Sequence, residues 1–357
     1  MAVFSFAVLL TRTGPAEADS KDERFRTALT LYSNLQDEQA VRILEELQQE
    51  KFALANTMLG VMHYDTLYSK RNSGEAVKIL RSNLENERKY APFLVGFYSY
   101  VLENSGLAPK DFVDLFQTSY LEGHVNAPSY LLLACRLHPT ECDGVGDIDA
   151  VLASANDKSY LPDTEYAFFA LAYYIQADQQ TDKYAGRFYG ALYAGVGNFY
   201  PEAFTGTGLL GLIAGYQNNR RDQLTEGLVD IVLGQALSSS HLYSLENLLD
   251  DNVRTLAREA FSQISASERR RLENRAAQKL SFLAHSLQPG INSHAAWCFS
   301  NFSNVDTTDA RMINCLRQAF DDGVRCETPA IVSDVIGRDN RTRYDACRKT
   351  LLASQNK

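Results

Sequence analysis

The side chains best placed for chemistry in this 357-residue chain are Cys135, His138 and Cys142, three metal-capable groups within eight residues, with Asp143 available as a fourth ligand. Zinc and copper sites need that proximity, and they need the thiols reduced to thiolates. The remaining cysteines argue for the opposite redox state. All six fall in two places, Cys135 and Cys142 in one and Cys298, Cys315, Cys326 and Cys347 in the other, an even, clustered set of the kind an oxidising compartment produces. The expectation is a Cys135–Cys142 bridge across a short loop, with no metal and no cofactor. Two further bridges are expected among the last four cysteines, where three connectivities are open. Asp143, Asp147 and Asp149 could suggest calcium, but Gly144 and Gly146 occupy early positions and break the calcium-loop spacing. A polar turn with Asp147 capping the next helix is the simpler reading.

Patterns for catalysis are missing. The histidines (His63, His124, His138, His241, His285 and His294) are scattered, and no metalloprotease, nucleophile-elbow or phosphate-loop motif occurs. The tyrosines are more informative. Residues 160–204 hold 13 aromatic side chains, against about five at the chain's 11% average, among them Tyr166, Tyr173, Tyr174, Tyr184, Tyr189, Tyr193 and Tyr200. A phenol ring joins a rigid apolar face to a hydrogen-bonding tip, which suits contact with proteins or sugars. The same rings also fill cores between paired helices, so a mixture of buried and surface rings is expected. The run Arg269-Arg270-Arg271 with Arg275 could attract acidic partners, though a solvated helix face is the commoner origin of such a run. A net charge of -9 argues against nucleic acid as a partner, because phosphate binding needs a cationic surface.

These residues must be positioned by a repeated element. Ala40-Val41-Arg42-Ile43-Leu44 recurs 36 residues later as Ala76-Val77-Lys78-Ile79-Leu80, and Ala55 with Gly60 recurs as Ala91 with Gly96. The same step carries Ala91-Pro92 to Ala127-Pro128 and places Phe112-Val113 where the next first helix is due. Each unit reads as two helices joined by a tight turn, with Val41, Leu44 and Leu47 at helical spacing in one and Leu54, Met58 and Val61 in the other. Glycine inside a helix costs roughly 1 kcal/mol against alanine, so its fixed place in the repeat predicts a close helix crossing.

This pattern resembles the Sel1-like branch of the tetratricopeptide-repeat superfamily. The likeness rests on the turns Tyr120-Leu-Glu-Gly-His-Val-Asn-Ala127 and Tyr193-Ala-Gly-Val-Gly-Asn-Phe-Tyr-Pro-Glu-Ala203, on Leu59-Gly60 and Thr207-Gly208, and on the loop Cys142-Asp-Gly-Val-Gly-Asp-Ile-Asp149. It spans about residues 22 to 240. Unit lengths drift after residue 140, and helices such as the one holding Val113-Asp-Leu-Phe116 lack the family's usual aromatic and paired alanines. The resemblance implies an all-α, right-handed α-solenoid of helix-turn-helix repeats. It implies adaptor work on protein partners in a bacterial envelope or a host.

The expected organisation has four parts. Residues 1–18 read as a signal peptide, with an apolar stretch from Ala2 to Leu10 and a small-x-small site for cleavage after Ala18, although no basic residue precedes Arg12. Residues 19–245 form the repeats and 246–290 long capping helices, one of which starts at a Ser265–Glu268 capping box. Residues 291–357 form a small disulfide-rich helical cap docked on the last repeat, too small to bury much core alone. No later segment reaches the ~18 apolar residues of a membrane span. A periplasmic or secreted, non-catalytic scaffold follows, with a carbohydrate- or peptidoglycan-binding component of polysaccharide export or cell-wall machinery as the alternative. An exported all-α enzyme of the superhelical lytic transglycosylase kind would need a general-acid Glu in a small lobe, and 291–357 offers only Glu327, beside Cys326 and near Pro329.

Overall fold

The computed structural model describes residues 20–102, 107–147, 201–237, 251–286, 294–301, 329–337 and 341–355, with shorter stretches near 150, within 189–197 and within 311–327. Among the described residues every regular element is helical and no strand occurs. Helix α1 (Lys21–Ser33) opens on a reciprocal cap, in which the Glu23 amide donates to Ser20 Oγ and the Ser20 amide to the Glu23 carboxylate. There follow α2 (Asp37–Gln49), α3 (Ala53–Tyr64), α4 (Ser73–Ser82), α5 (Ala91–Gly96, continued by a π-helical turn Phe97–Leu102), α6 (Pro109–Leu121) and α7 (Ala127–Leu137). Each packs against the next in the chain.

The 36-residue period is a period of packing. Ala40, Ala76 and Phe112 are fully buried, as are Leu44, Leu80 and Phe116, and Ala55, Ala91 and Ala127. A Cβ added to Gly60 would lie 2.6 Å from Leu80 Cγ, and one added to Gly96 would lie 3.0 Å from the Phe116 ring. Gly60 and Gly96 are one period apart and so are Leu80 and Phe116, so one close contact is made twice, as the glycine placement predicts. The turn after the first helix is also repeated. Lys51 and Gly123, two periods apart, both take left-handed backbone angles. In each turn a pair of amides returns to the helix end, Phe52 to Leu47 and Lys51 to Gln48, His124 to Ser119 and Gly123 to Tyr120. This arrangement satisfies carbonyls that would otherwise lack partners. Leu35 and Asn219 close two other turns the same way.

Buried polar groups tie consecutive pairs. Asn83 sits one period after Leu47 and donates to the Ala53 carbonyl and to Thr57 Oγ1, both at 2.9 Å. The Glu87 carboxylate, 7% exposed, accepts the amides of Lys89, Tyr90 and Ala91. The amides of Tyr90 and Ala91 are those of the N-cap and first residue of α5, where a negative charge is favoured.

Further along, α8 (Pro201–Gln217) and α9 (Arg221–Leu237) approach backbone to backbone. A Cβ on Gly208 would lie 2.5 Å from the Gly227 carbonyl oxygen, and one on Gly227 would lie 2.6 Å from that of Gly208. Next come α10 (Asp251–Ser262) and α11 (Ala266–Ser286). Helix α11 starts at the expected Ser265–Glu268 box and is clamped to α9 by Arg275–Glu226 and Lys279–Asp230 ion pairs. The chain ends in α12 (His294–Asn301), α13 (Ala330–Ile336) and α14 (Arg341–Gln355).

Three disulfides are present, Cys135–Cys142 as expected, then Cys298–Cys315 and Cys326–Cys347. The docking of the C-terminal segment differs from the expectation. Its first part does pack on the late helices, where Trp297, Cys298, Cys315 and Leu316 share a core with Leu233, Leu237, Leu272 and Leu280. Helix α13 and Arg343 at the start of α14 instead return to α1–α5, the opposite end of the chain's order, because polar partners for Asp334 and Arg343 are placed there. Residues 1–18, expected as a signal peptide, and the expected boundaries near 245 and 290 lie outside the described residues. Among the described residues no helix is long and apolar enough to cross a membrane.

Two substitutions test these contacts by chemical denaturation. Gly208→Ala gains roughly 1 kcal/mol of helix propensity but forces a Cβ against backbone, an overpacking cost of about 1–3 kcal/mol, and is expected to destabilise. Lys51→Gly removes a left-handed non-glycine residue, which costs about 1–2 kcal/mol, and is expected to be neutral or stabilising.

Candidate functional site

The described residues converge on one face, lined by the ends of α1 and α3, by the α4–α5 connection and α5, and by α7. Tyr32 lies in the last turn of α1, Tyr64 is the last residue of α3 and Asp65 follows it as the C-cap. Tyr64 stacks on Tyr98 with ring centres 3.8 Å apart, and Phe93 stacks on His124 at 4.0 Å. Tyr130 packs edge-on to Phe93 and Phe97. A pocket of about 60 Å³ remains between these rings and the chain's own Arg325, Glu327, Pro329, Ala330 and Ile331. That volume would hold a few water molecules.

The tail is fixed to this face by charges. Arg343, whose side chain is 5% exposed, donates from Nη1 to Asp37 at 2.7 Å, from Nη2 to the other Asp37 oxygen at 3.2 Å, and from Nε to Asp65 at 2.8 Å. Nη1 also reaches the Tyr32 carbonyl at 2.7 Å, in the last turn of α1, where a helix end carries partial negative charge. The guanidinium lies over the Tyr32 ring, 3.7 Å from its centre. Burial alone would lower its pKa, but the negative charge of Asp65 and the hydrogen bonds to Asp37 and Asp65 outweigh that and raise it. Asp65 is fully committed, accepting also the Tyr32 hydroxyl at 2.6 Å and the Leu67 amide at 2.8 Å. A second anchor lies on α13, where the Asp334 carboxylate accepts Lys89 Nζ and the Tyr90 hydroxyl, both at 2.8 Å. Arg26 donates to the Val335 carbonyl beside it.

Of the tyrosines singled out from the sequence, Tyr189 and Tyr193 are exposed, by 44% and 67%. Tyr166, Tyr173, Tyr174, Tyr184 and Tyr200 lie outside the described residues. Cys135 and Cys142 are bonded to each other, and among the described residues no cluster of three or more histidines, cysteines or acids is placed to hold a metal. Arg269, Arg270 and Arg271 lie on an exposed face of α11, with Arg269 paired to Glu273. Glu327 borders the pocket together with Asp65, whose oxygens are taken by other donors. Sequence reasoning did not find Tyr32, Asp37, Asp65 or Arg343. They share no local motif, and Arg343 lies 306 residues from Asp37.

Comparison with known proteins supplies no class and no particular relative, since no protein family, curated protein or solved structure matches the chain.

The buried phenols give a test. Burial first, and then the Asp65 charge, raise the Tyr32 pKa above its ordinary 10.0; burial and Tyr64 do the same for Tyr98, and burial and Asp334 for Tyr90. A folded pKa above the unfolded one means stability that is full below pH 10.0 and is lost as pH rises beyond it. Phenolate absorbance is expected to titrate in two stages, exposed tyrosines first and these three only with alkaline unfolding. A single stage near pH 10.0 would contradict their burial.

Proposed function

We propose that the chain is a non-catalytic protein–protein interaction scaffold, a right-handed α-solenoid related to the Sel1-like and tetratricopeptide repeats, that works after export in a bacterial envelope or outside the cell. The observation that carries this reading is that one face of the paired helices already holds a helical segment, the chain's own tail, through side-chain contacts of defined polarity. Paired-helix arrays bury a core between neighbours and leave a long face for recognition. Three disulfides with no free cysteine among the described residues support the oxidising setting. Tyr189 and Tyr193, exposed and one helical turn apart in sequence, add a second contact surface. Phenol rings also stack on sugar faces, which supports polysaccharide as the second reading.

Affinity capture by residues 19–357 from an envelope extract of the source cell, repeated with Tyr189→Ala and Tyr193→Ala together, tests the proposal. Protein partners recovered by the native chain and reduced about tenfold in the variant, a change of roughly 1.4 kcal/mol, are expected. Recovery of glycan fragments alone would move the assignment to carbohydrate binding. Turnover of cell-wall glycan would sink the non-catalytic reading.

A further inference from the structure

We propose that the pocket between α3, α5 with its π-helical turn, α7 and residues 325–331 is a subsite for the acetamido group of an N-acetylhexosamine. The proposal rests on the carbohydrate reading and names the sugar class. Every helix stays where it is, and Ile331, fully buried, forms one wall.

Two polar side chains of the lining have hydrogen-bonding capacity that the fold does not use. Tyr98 is 6% exposed, and among the described residues its hydroxyl joins no hydrogen bond, although a buried phenol usually finds one. It reaches the pocket from the π-helical turn Phe97–Leu102, a rare geometry that recurs at functional sites. Asn126 stands at the N-cap of α7, where asparagine ordinarily bonds the helix amides, yet its side chain makes no such bond.

The charges around the pocket call for a neutral ligand. The Asp65 carboxylate already accepts from Arg343, Tyr32 and Leu67. The rings of Tyr32, Tyr64 and Tyr90 already face the cations Arg343, Arg71 and Lys89, so an ammonium would gain little from them. An acetamido group matches what is left. Its methyl suits walls of rings and aliphatic side chains, its carbonyl oxygen can accept from the Tyr98 hydroxyl, and its N–H can donate to Asn126 Oδ1. The space of about 60 Å³, enough for a few water molecules, suits such a group and leaves the sugar ring outside. There Arg325 is exposed and Glu327 half-buried, a donor and an acceptor for ring hydroxyls. That rim favours a sugar over an acetylated lysine, whose aliphatic chain would lie against charged groups.

Saturation-transfer NMR on residues 19–357 with N-acetylglucosamine, and with its β-1,4-linked trimer, tests the subsite. Transfer is expected to be strongest at the acetyl methyl, and N-acetylglucosamine is expected to bind about tenfold more tightly than glucose or glucosamine. Tyr98→Phe is expected to weaken binding roughly fivefold, the worth of one hydrogen bond, with no fall in the denaturation midpoint, because the hydroxyl it removes holds nothing in the fold. Asn126→Ala is expected to act in the same direction. Loss of stability in these variants with unchanged sugar binding would assign both groups to the fold and overturn the proposal. Equal binding of glucose would overturn it too, and so would N-acetyllysine bound more tightly than the sugar. If no N-acetylated sugar binds while glycan capture through Tyr189 and Tyr193 persists, the carbohydrate reading stands and the subsite alone falls.

Discussion

A guanidinium taken out of water is tolerated only where every edge of it finds an acceptor, and the placement of Arg343 imposes that condition on three helices at once. Asp37 must stand at the first residue of α2, Asp65 directly after α3, and the end of α1 must lie between them with Tyr32 turned flat. Once those positions are set, α14 has one place to lie. Cys326–Cys347 ties α14 to the chain just ahead of α13, and Asp334 of α13 meets Lys89 and Tyr90. The charge network selects an arrangement more than it adds stability, because the attraction it recovers is largely offset by the hydration it gives up.

The stability comes from the apolar contacts beneath. Leu80 against Gly60 and Phe116 against Gly96 bring neighbouring helices close, and each fully buried side chain of this size contributes about 1.5–3 kcal/mol relative to exposure. Glycine is what makes room, and in α8 and α9 the same device lets two backbones touch. Two polar groups inside this packing serve neighbouring helix ends. Asn83 bonds Ala53 and Thr57, and Glu87 collects the first amides of α5.

What the sequence reveals is what repeats or lies close along the chain. The period shows because Ala40 and Ala76, or Gly60 and Gly96, meet equivalent neighbours and so keep equivalent residues. The box at Ser265 and Glu268 shows because its two halves lie within one helical turn. The nearest cysteine pair could be joined by proximity, while the other four left three choices that only the fold resolves as Cys298–Cys315 and Cys326–Cys347. The anchor of the tail is hidden for the opposite reason. Asp65 and Arg343 are 278 residues apart, and neither has an unusual local setting. The rings around the pocket were missed as well, because Tyr32, Tyr64, Tyr98 and Tyr130 are spread thinly through the sequence, whereas the dense aromatic stretch at 160–204 draws the eye.

The return of the tail changes how such a molecule comes apart. An open stack of helix pairs touches only nearest neighbours, so its terminal units fray first and opening spreads inward. Here α12 is packed into the late helices while α14 is bonded to the first, and Arg348 of α14 lies over the Trp297 ring of α12. The two ends of the array are thus fastened to a common segment. Loosening either one strips contacts from the other, and the boundary units join the cooperative core of the unfolding transition.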